Sequence, residues 1–170
     1  MRSLKILLMI ILIIILTPGL VFAEEYLIKI SFSEFKLFLF DSEGQELLSF
    51  PVALPKITPK NLPIKGKVVR IEKNPYWFPT LLTRKAYLRK KKIELPKMIG
   101  PGDSRNAMGM AKIIVFFETP EVNQAIRIHG TNDKDSIGKR ISRGCYRLYN
   151  EDILTLIDSI KNKPTRVILD

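Results

Sequence analysis

The run Ala111–Phe117, AKIIVFF, constrains the fold more than any other stretch of this chain. It is nearly all apolar and rich in branched and aromatic side chains, which predicts a strand near the middle of a sheet. Similar runs precede it. Tyr26–Phe32, Phe35–Phe40 and Glu46–Leu54 read as strands, and Asp41-Ser42-Glu43-Gly44-Gln45 reads as a turn in which Gly44 supplies a positive φ. These segments predict an opening β-meander. Lys67–Lys73 alternates, with Val69 and Ile71 on one side and Arg70 and Glu72 on the other. Gln124–His129 alternates as well, with Ile126 and Ile128 inward and Arg127 and His129 on the other face. Thr165–Leu169 is expected as a final strand.

Helical signals are fewer. Leu81–Ile93 carries Arg84, Lys85, Arg89, Lys90, Lys91 and Lys92 and reads as a short basic helix, either a solvated face or a surface that favours an anionic polymer. After Asn150, expected as an N-cap, Ile153, Leu154, Leu156, Ile157 and Ile160 recur at helical spacing, and Glu151 and Asp152 suit the positive end of the dipole. Pro55–Gly66, Pro96–Asn106 and Thr131–Arg140 read as loops, and Glu118–Asn123 as a turn. The fold class is therefore mostly β with one or two short helices.

The N-terminus bears on the compartment. Met1–Lys5 is basic, Ile6–Leu16 is an unbroken apolar run, Thr17-Pro18-Gly19 breaks it, and Val21-Phe22-Ala23 offers small residues where a signal peptidase reads. This pattern predicts a secretory leader over residues 1–23 and one domain over residues 24–170. The competing reading is a retained anchor, the only route to a membrane here. As a helix, Ile6–Leu16 spans only ~16 Å against ~30 Å of hydrocarbon. The formal charge is +11. Removing Arg2 and Lys5 leaves about +9 on the rest, a surface that favours polyanions. No helix-turn-helix or aromatic-interleaved basic patch points to nucleic acid.

The chemistry concentrates in Ile128–Asn150, IHGTNDKDSIGKRISRGCYRLYN, which holds the sole histidine, His129, and the sole cysteine, Cys145. A lone cysteine in an exported chain cannot close an internal disulfide; it is an inert core thiol, an intermolecular partner or a nucleophile. A free thiol with pKa near 8.5 is only ~3% thiolate at pH 7, so a nucleophile needs a base such as His129. Gly130 leaves a carbonyl beside the imidazole that can hold its second nitrogen. Gly144 permits a sharp turn, and the amides of Gly144 and Cys145, with that of Arg143, can face an oxyanion, each such donor being worth ~3–4 kcal/mol. Arg147 shares a face with Cys145 if the segment is extended. It then either binds a substrate carboxylate or pairs with Asp152 or Glu151. In Asn74-Pro75-Tyr76-Trp77-Phe78-Pro79 the aromatics form a packed corner of the core or the wall of a cleft. One Cys, one His and loop acids such as Asp133 and Asp135 are too few for a metal site, so neither metal nor cofactor is expected.

His129-Gly130-Thr131, Ser136-Ile137-Gly138 and Ser142-Arg143-Gly144-Cys145-Tyr146-Arg147-Leu148 resemble the signature of the L,D-transpeptidase (YkuD-like) catalytic domain. Thr58-Pro59, Asn74-Pro75 with Trp77 and Pro79, and Asn106 with Gly109 resemble its upstream landmarks. The resemblance covers Tyr26 to the C-terminus. It implies β-sandwich-like sheets and peptidoglycan stem peptides as substrate. Cys145 would form a thioester with the third stem residue, releasing D-alanine, and a neighbouring amine would then make a 3→3 cross-link. It further implies His129 as base and acid, Gly130 as its orienter, and Ser142, Arg143 and Gly144 as turn and oxyanion hole. Arg147, Trp77 and Asn106 are the candidates for substrate binding. The location implied is the periplasm or cell wall. Arg143 stands where many relatives carry a second histidine, and Lys60-Asn61 interrupts the usual Thr-Pro-x-Gly. An L,D-carboxypeptidase on the same residues and a non-catalytic basic wall-binding protein are the alternatives.

Overall fold

The computed structural model describes residues 24–117, 119 and 125–170. The expected leader over residues 1–23, most of the expected turn over residues 118–123, and Gln124 lie outside them.

The opening meander forms as expected. β1 (Tyr26–Ser31), β2 (Lys36–Phe40) and β3 (Glu46–Pro51) pair antiparallel in sequence. The chain then makes a short β4 (Leu54–Pro55) and a long β5 (Ile64–Lys73). Helix α1 (Leu81–Lys91) follows, and then β6 (Ala111–Phe117) and β7 (Ala125–His129). A 3-10 turn over Lys134–Ser136 leads to β8 (Arg140–Ser142) and β9 (Tyr146–Arg147). Helix α2 (Asn150–Ile160) and β10 (Thr165–Leu169) complete the chain. The main sheet has eight strands in the order β3-β2-β1-β10-β5-β6-β7-β9, and β4 pairs with β8 in a separate two-stranded sheet. As the apolar run predicts, β6 lies inside the sheet, between β5 and β7.

The sheet curls, and its two edges are tied together. Just past β3, Ala53 exchanges backbone hydrogen bonds with Arg147 of β9 at 2.9 and 3.1 Å. Inside the curl Ile28, Ile30, Leu37, Leu39, Ile113, Ile128 and Tyr146 share one buried cluster with one face of α2. That face is Ile153, Leu156, Ile157 and Ile160, the i, i+3, i+4, i+7 stripe read from the sequence, while Leu154 sits at its border. Burying each of these side chains is worth about 1.5–3 kcal/mol, which makes α2 a major part of the core. A smaller cluster of Trp77, Leu95, Ile99 and Ala107 forms beside α1.

Several boundaries differ from expectation for local steric reasons. The loop expected to run to Gly66 ends earlier, because Ile64, Lys65 and Gly66 already pair with β10. Gly66 lies so close to β6 that a Cβ would come within 2.5 Å of the Phe116 carbonyl oxygen. Val69 does not share an inward side with Ile71. A bulge between Val68 and Arg70 turns Val69 out to 52% exposure and leaves Val68 and Ile71 against the core. Helix α1 stops before Ile93 because Lys92 adopts a left-handed C-cap at φ 56°. Asn150 is not the N-cap of α2. That position falls to Tyr149, and the Asn150 side chain is used elsewhere.

Replacing Gly66 with alanine forces the β5–β6 ladder apart. We expect Gly66→Ala to lower unfolding free energy by about 1–3 kcal/mol in urea titration with an unchanged slope. Stability equal to the parent would contradict the close approach.

Candidate active site

The pairing of β7 with β9 decides which side chains meet. The two strands run parallel with Ile128 opposite Tyr146 and His129 opposite Arg147, while β6 sets Lys112 opposite His129 and Ile114 opposite Arg127. Side chains alternate along each strand. Ile113, Ile128 and Tyr146 therefore form a buried row in the core, and Lys112, His129 and Arg147 form a row on the opposite face. Cys145, one residue before Tyr146, joins Arg127 in the next row on that face. His129, Cys145, Lys112, Arg127 and Arg147 all line one cavity of about 550 Å³, whose far wall is Tyr76, Trp77, Phe78 and α1. Cys145 is half-buried and also borders a second cavity of about 290 Å³ beside Ile57 and Pro59.

The imidazole is held tightly. His129 is 2% exposed, and its Nδ1 lies 2.5 Å from the Gly130 carbonyl oxygen. A carbonyl only accepts, so in the neutral ring the proton sits on Nδ1 and Nε2 is left with a lone pair. The backbone is pinned on both sides, with Gly130 N–H donating to Ala111 O at 3.0 Å and Leu148 N–H to His129 O at 2.9 Å. Asn150 supplies a third support. Its Oδ1 accepts the Met110 N–H at 3.0 Å and sits where a Cβ on either Gly109 or Gly130 would have to go. Gly130 is thus a glycine because Asn150 fills the space its side chain would need.

Burial lowers the His129 pKa to about 4, the positive charges of Arg147, Arg127 and Lys112 act in the same direction, and the Gly130 hydrogen bond opposes them. Burial also raises the Cys145 thiol above its usual range, partly offset by the charges of Arg127 and Arg147 and by the Arg127 backbone N–H. At neutral pH the pair is therefore imidazole and thiol rather than imidazolium and thiolate. The ring's hydrogen bond is to Gly130 and none is made to Sγ. Catalytic pairs often lie long until substrate draws them together.

The turn before Cys145 is braced by Ser142, whose Oγ donates to the Cys145 carbonyl at 2.5 Å and accepts the Gly144 N–H at 3.3 Å. Gly144 has φ 129°, a conformation that a side chain resists, although nothing crowds its Cα. The Arg143 side chain points across the cavity to Thr83 Oγ1 of α1 at 3.5 Å.

A family model described as the L,D-transpeptidase catalytic domain matches residues 25–169. The chain belongs to this family. It is similar to the probable L,D-transpeptidase ErfK/SrfK of Escherichia coli K12, at 31% identity over 78% of this chain and 40% of that protein. It is also similar to the probable L,D-transpeptidase YbiS of the same organism, at 30% identity over 78% of this chain and 41% of that one. The chain thus spans about two fifths of the length of these curated relatives. Among solved structures, the fold is like that of L,D-transpeptidase 3 from Mycobacterium tuberculosis, with TM-score 0.57 and 10% identity over 86% of this chain and 61% of that chain. An L,D-transpeptidase from Mycobacterium smegmatis gives TM-score 0.54 and 14% identity over 86% and 59%.

Within this L,D-transpeptidase domain, the residues singled out from sequence do not all converge. His129, Cys145, Ser142, Arg143 and Arg147 line the larger cavity, and Gly130 and Gly144 flank it. Arg147 pairs with neither Asp152 nor Glu151; its Nη1 lies 3.5 Å from Asp133 Oδ2, and its Nε is buried without a partner. Trp77 combines both readings, being 9% exposed in the small core yet forming part of the cavity wall. Asn106 lies outside both cavities. Its amide is spent on the carbonyls of Pro75 and Gly100 and on the Met108 N–H, so it ties the loops together. Lys112 and Arg127 were not expected in the site. Arg127 was on the right face of an alternating strand, two residues before His129. Nothing local marks Lys112, which arrives by cross-strand pairing. Among the described residues no group of three or more His, Cys, Asp and Glu side chains is placed to hold a metal.

The depressed His129 pKa has a consequence for stability. Between its unfolded value near 6.5 and about 4, the unfolded chain binds a proton that the folded chain refuses. This contribution is present above pH 6.5 and is lost as pH falls toward 4, reaching about 3 kcal/mol. The thermal midpoint of the parent should therefore fall more steeply from pH 6.5 to 4.5 than that of His129→Gln. Parallel curves would contradict the shift.

Proposed function

We propose that this domain is a cysteine acyltransferase of peptidoglycan, an L,D-transpeptidase in reaction as well as in family. The observation that carries the reading is a reachable thiol and a buried, neutral, oriented imidazole on one cavity wall. Family membership and fold support it.

In the first half-reaction Nε2 of His129 takes the Cys145 proton while Sγ bonds to the carbonyl carbon of the third residue of a tetrapeptide stem. With the imidazole lowered to about 4 by burial and the thiol raised by burial, free proton transfer from Cys145 to His129 is uphill. No standing thiolate is therefore expected, and the proton moves as the C–S bond forms. Amides of the Arg143–Cys145 turn receive the oxyanion. The Gly144 N–H, at 3.3 Å from Ser142 Oγ, is weakly held and free to exchange to a charged acceptor. As the C–N bond breaks, the imidazolium protonates the departing nitrogen, D-alanine leaves and a thioester remains. An amine of a neighbouring stem then attacks the thioester and loses its proton to His129. The C–S bond breaks, which returns the thiol and yields a 3→3 cross-link. Water in place of the amine gives the L,D-carboxypeptidase product. In this reading the leader over residues 1–23 delivers the domain to the periplasm or wall, where the stems are.

Incubating the full chain with a tetrapeptide stem should add to Cys145 the mass of the stem less alanine, and Cys145→Ala and His129→Ala should each abolish the adduct. An added acceptor amine should yield a dimer, and tripeptide alone would mark the hydrolytic enzyme. Folded protein that stays unmodified would overturn the enzymatic reading and leave a basic wall-binding protein. Because the resting thiol is protonated, alkylation of folded Cys145 by iodoacetamide should be slow at pH 7 and keep rising beyond pH 9. A plateau below pH 7 would contradict a neutral pair.

A further inference from the structure

We propose that Arg127 is the specificity-determining anchor of this cleft, its guanidinium binding a carboxylate that the acyl donor carries beside the bond Cys145 attacks. The proposal rests on the transpeptidase reading and assigns part of the substrate's recognition to a residue outside the family signature quoted above.

Lys112, Arg127, Arg143 and Arg147 are the cations around the nucleophile. Lys112 is 14% exposed and bound to Glu72 at 2.8 Å. Arg147 pairs with Asp133 at 3.5 Å. Arg143 reaches Thr83 of α1 at 3.5 Å. The guanidinium of Arg127 has neither a hydrogen bond nor an ion pair among the described residues, and the residue is exposed. A solvated, unpaired guanidinium beside paired neighbours is the group whose donors an incoming anion can take without displacing a partner.

Its location matches that role. Arg127, Arg143 and Cys145 are the residues common to the walls of both cavities, so a chain crossing from one cavity to the other over Sγ passes Arg127. Arg127 stands on β7, between β6 and β9, with its backbone fixed by ladder pairing to Ile114. Neighbouring strands lie ~4.8 Å apart. One peptide residue spans ~3.5 Å. An anion held by Arg127 therefore lies close to the scissile bond. The carboxylates nearest that bond are the α-carboxylate of the departing residue and a side-chain carboxylate of the residue that becomes acylated. The first charge acting on the Cys145 thiol is also that of Arg127, consistent with its closeness to Sγ.

The test uses the full chain bearing Cys145→Ala, so that binding is measured without chemistry. Calorimetry compares a tetrapeptide stem with all carboxylates free, one with a C-terminal carboxamide and one amidated on the third side chain. We expect one amide to weaken binding by about 10–100-fold, the range of a lost charge-assisted hydrogen bond. Adding Arg127→Gln should weaken the free acid by a similar factor and remove discrimination against that amide, and Arg127→Lys should restore part of it. Which amide binds poorly identifies the carboxylate. Discrimination that survives in Arg127→Gln, or no binding of any stem, overturns the proposal. Acylation of the parent chain is followed in parallel by mass. An acyl-enzyme with no effect of Arg127→Gln rejects the anchor and keeps the reaction; Arg127-dependent binding with no acyl-enzyme keeps the anchor and rejects the reaction.

Discussion

The two-residue parallel pairing of β7 with β9 is the constraint on which the site depends. A slip of one residue would exchange the faces, turning Cys145 toward the core and Tyr146 into the cleft. So short a ladder cannot hold its own register. The register is held from outside, by the Ala53–Arg147 bridge that closes the curl, by the Leu148 N–H on the His129 carbonyl, and by fully buried Tyr146, whose ring packs edge-on against Phe32 at 6.0 Å between centroids. Ser142 then fixes the Cys145 turn from within. Cys145 is thus positioned by the closure of the whole sheet.

The same closure sets the electrostatics. Burying His129 at the cleft floor keeps its ring neutral, and the cations around it push in the same direction. Those cations would make the floor repellent to one another if unpaired. Glu72 and Asp133 neutralise Lys112 and Arg147, and Asp133 comes from the loop between the histidine and the cysteine. The polar loop between His129 and Cys145 therefore also balances charge in the cleft. Local field and local packing are one problem here, because a low-dielectric floor penalises every uncompensated charge.

Helix α1 and the Trp77 corner form the opposite wall with little core of their own. No residue of α1 is buried, whereas one face of α2 is sealed against the main sheet. The contact of Arg143 with Thr83 is a direct link between that wall and the turn before Cys145. A basic charge run read as a solvated face is thus also one side of a cleft, because Thr83, Ala86 and Tyr87 line the cavity while Lys85, Arg89, Lys90 and Lys91 are exposed.

The sequence by itself determined what depends on short range. Alternation and branching marked the meander, the interior strand β6 and the inward face of β7. Helical spacing marked the stripe of α2, and the lone thiol and imidazole beside glycines marked two residues that line one cavity. The tertiary structure alone decided which strands are neighbours. It put β10 between β1 and β5, brought Lys112 alongside His129, gave Arg147 to Asp133, and turned Asn150 from an expected cap into the support beneath Gly130. It also spent the Asn106 amide on the carbonyls of two loops, outside both cavities. Side-chain periodicity is a property of a residue and its near neighbours. Pairing partners are chosen by how the entire apolar surface closes, and no local pattern carries that information.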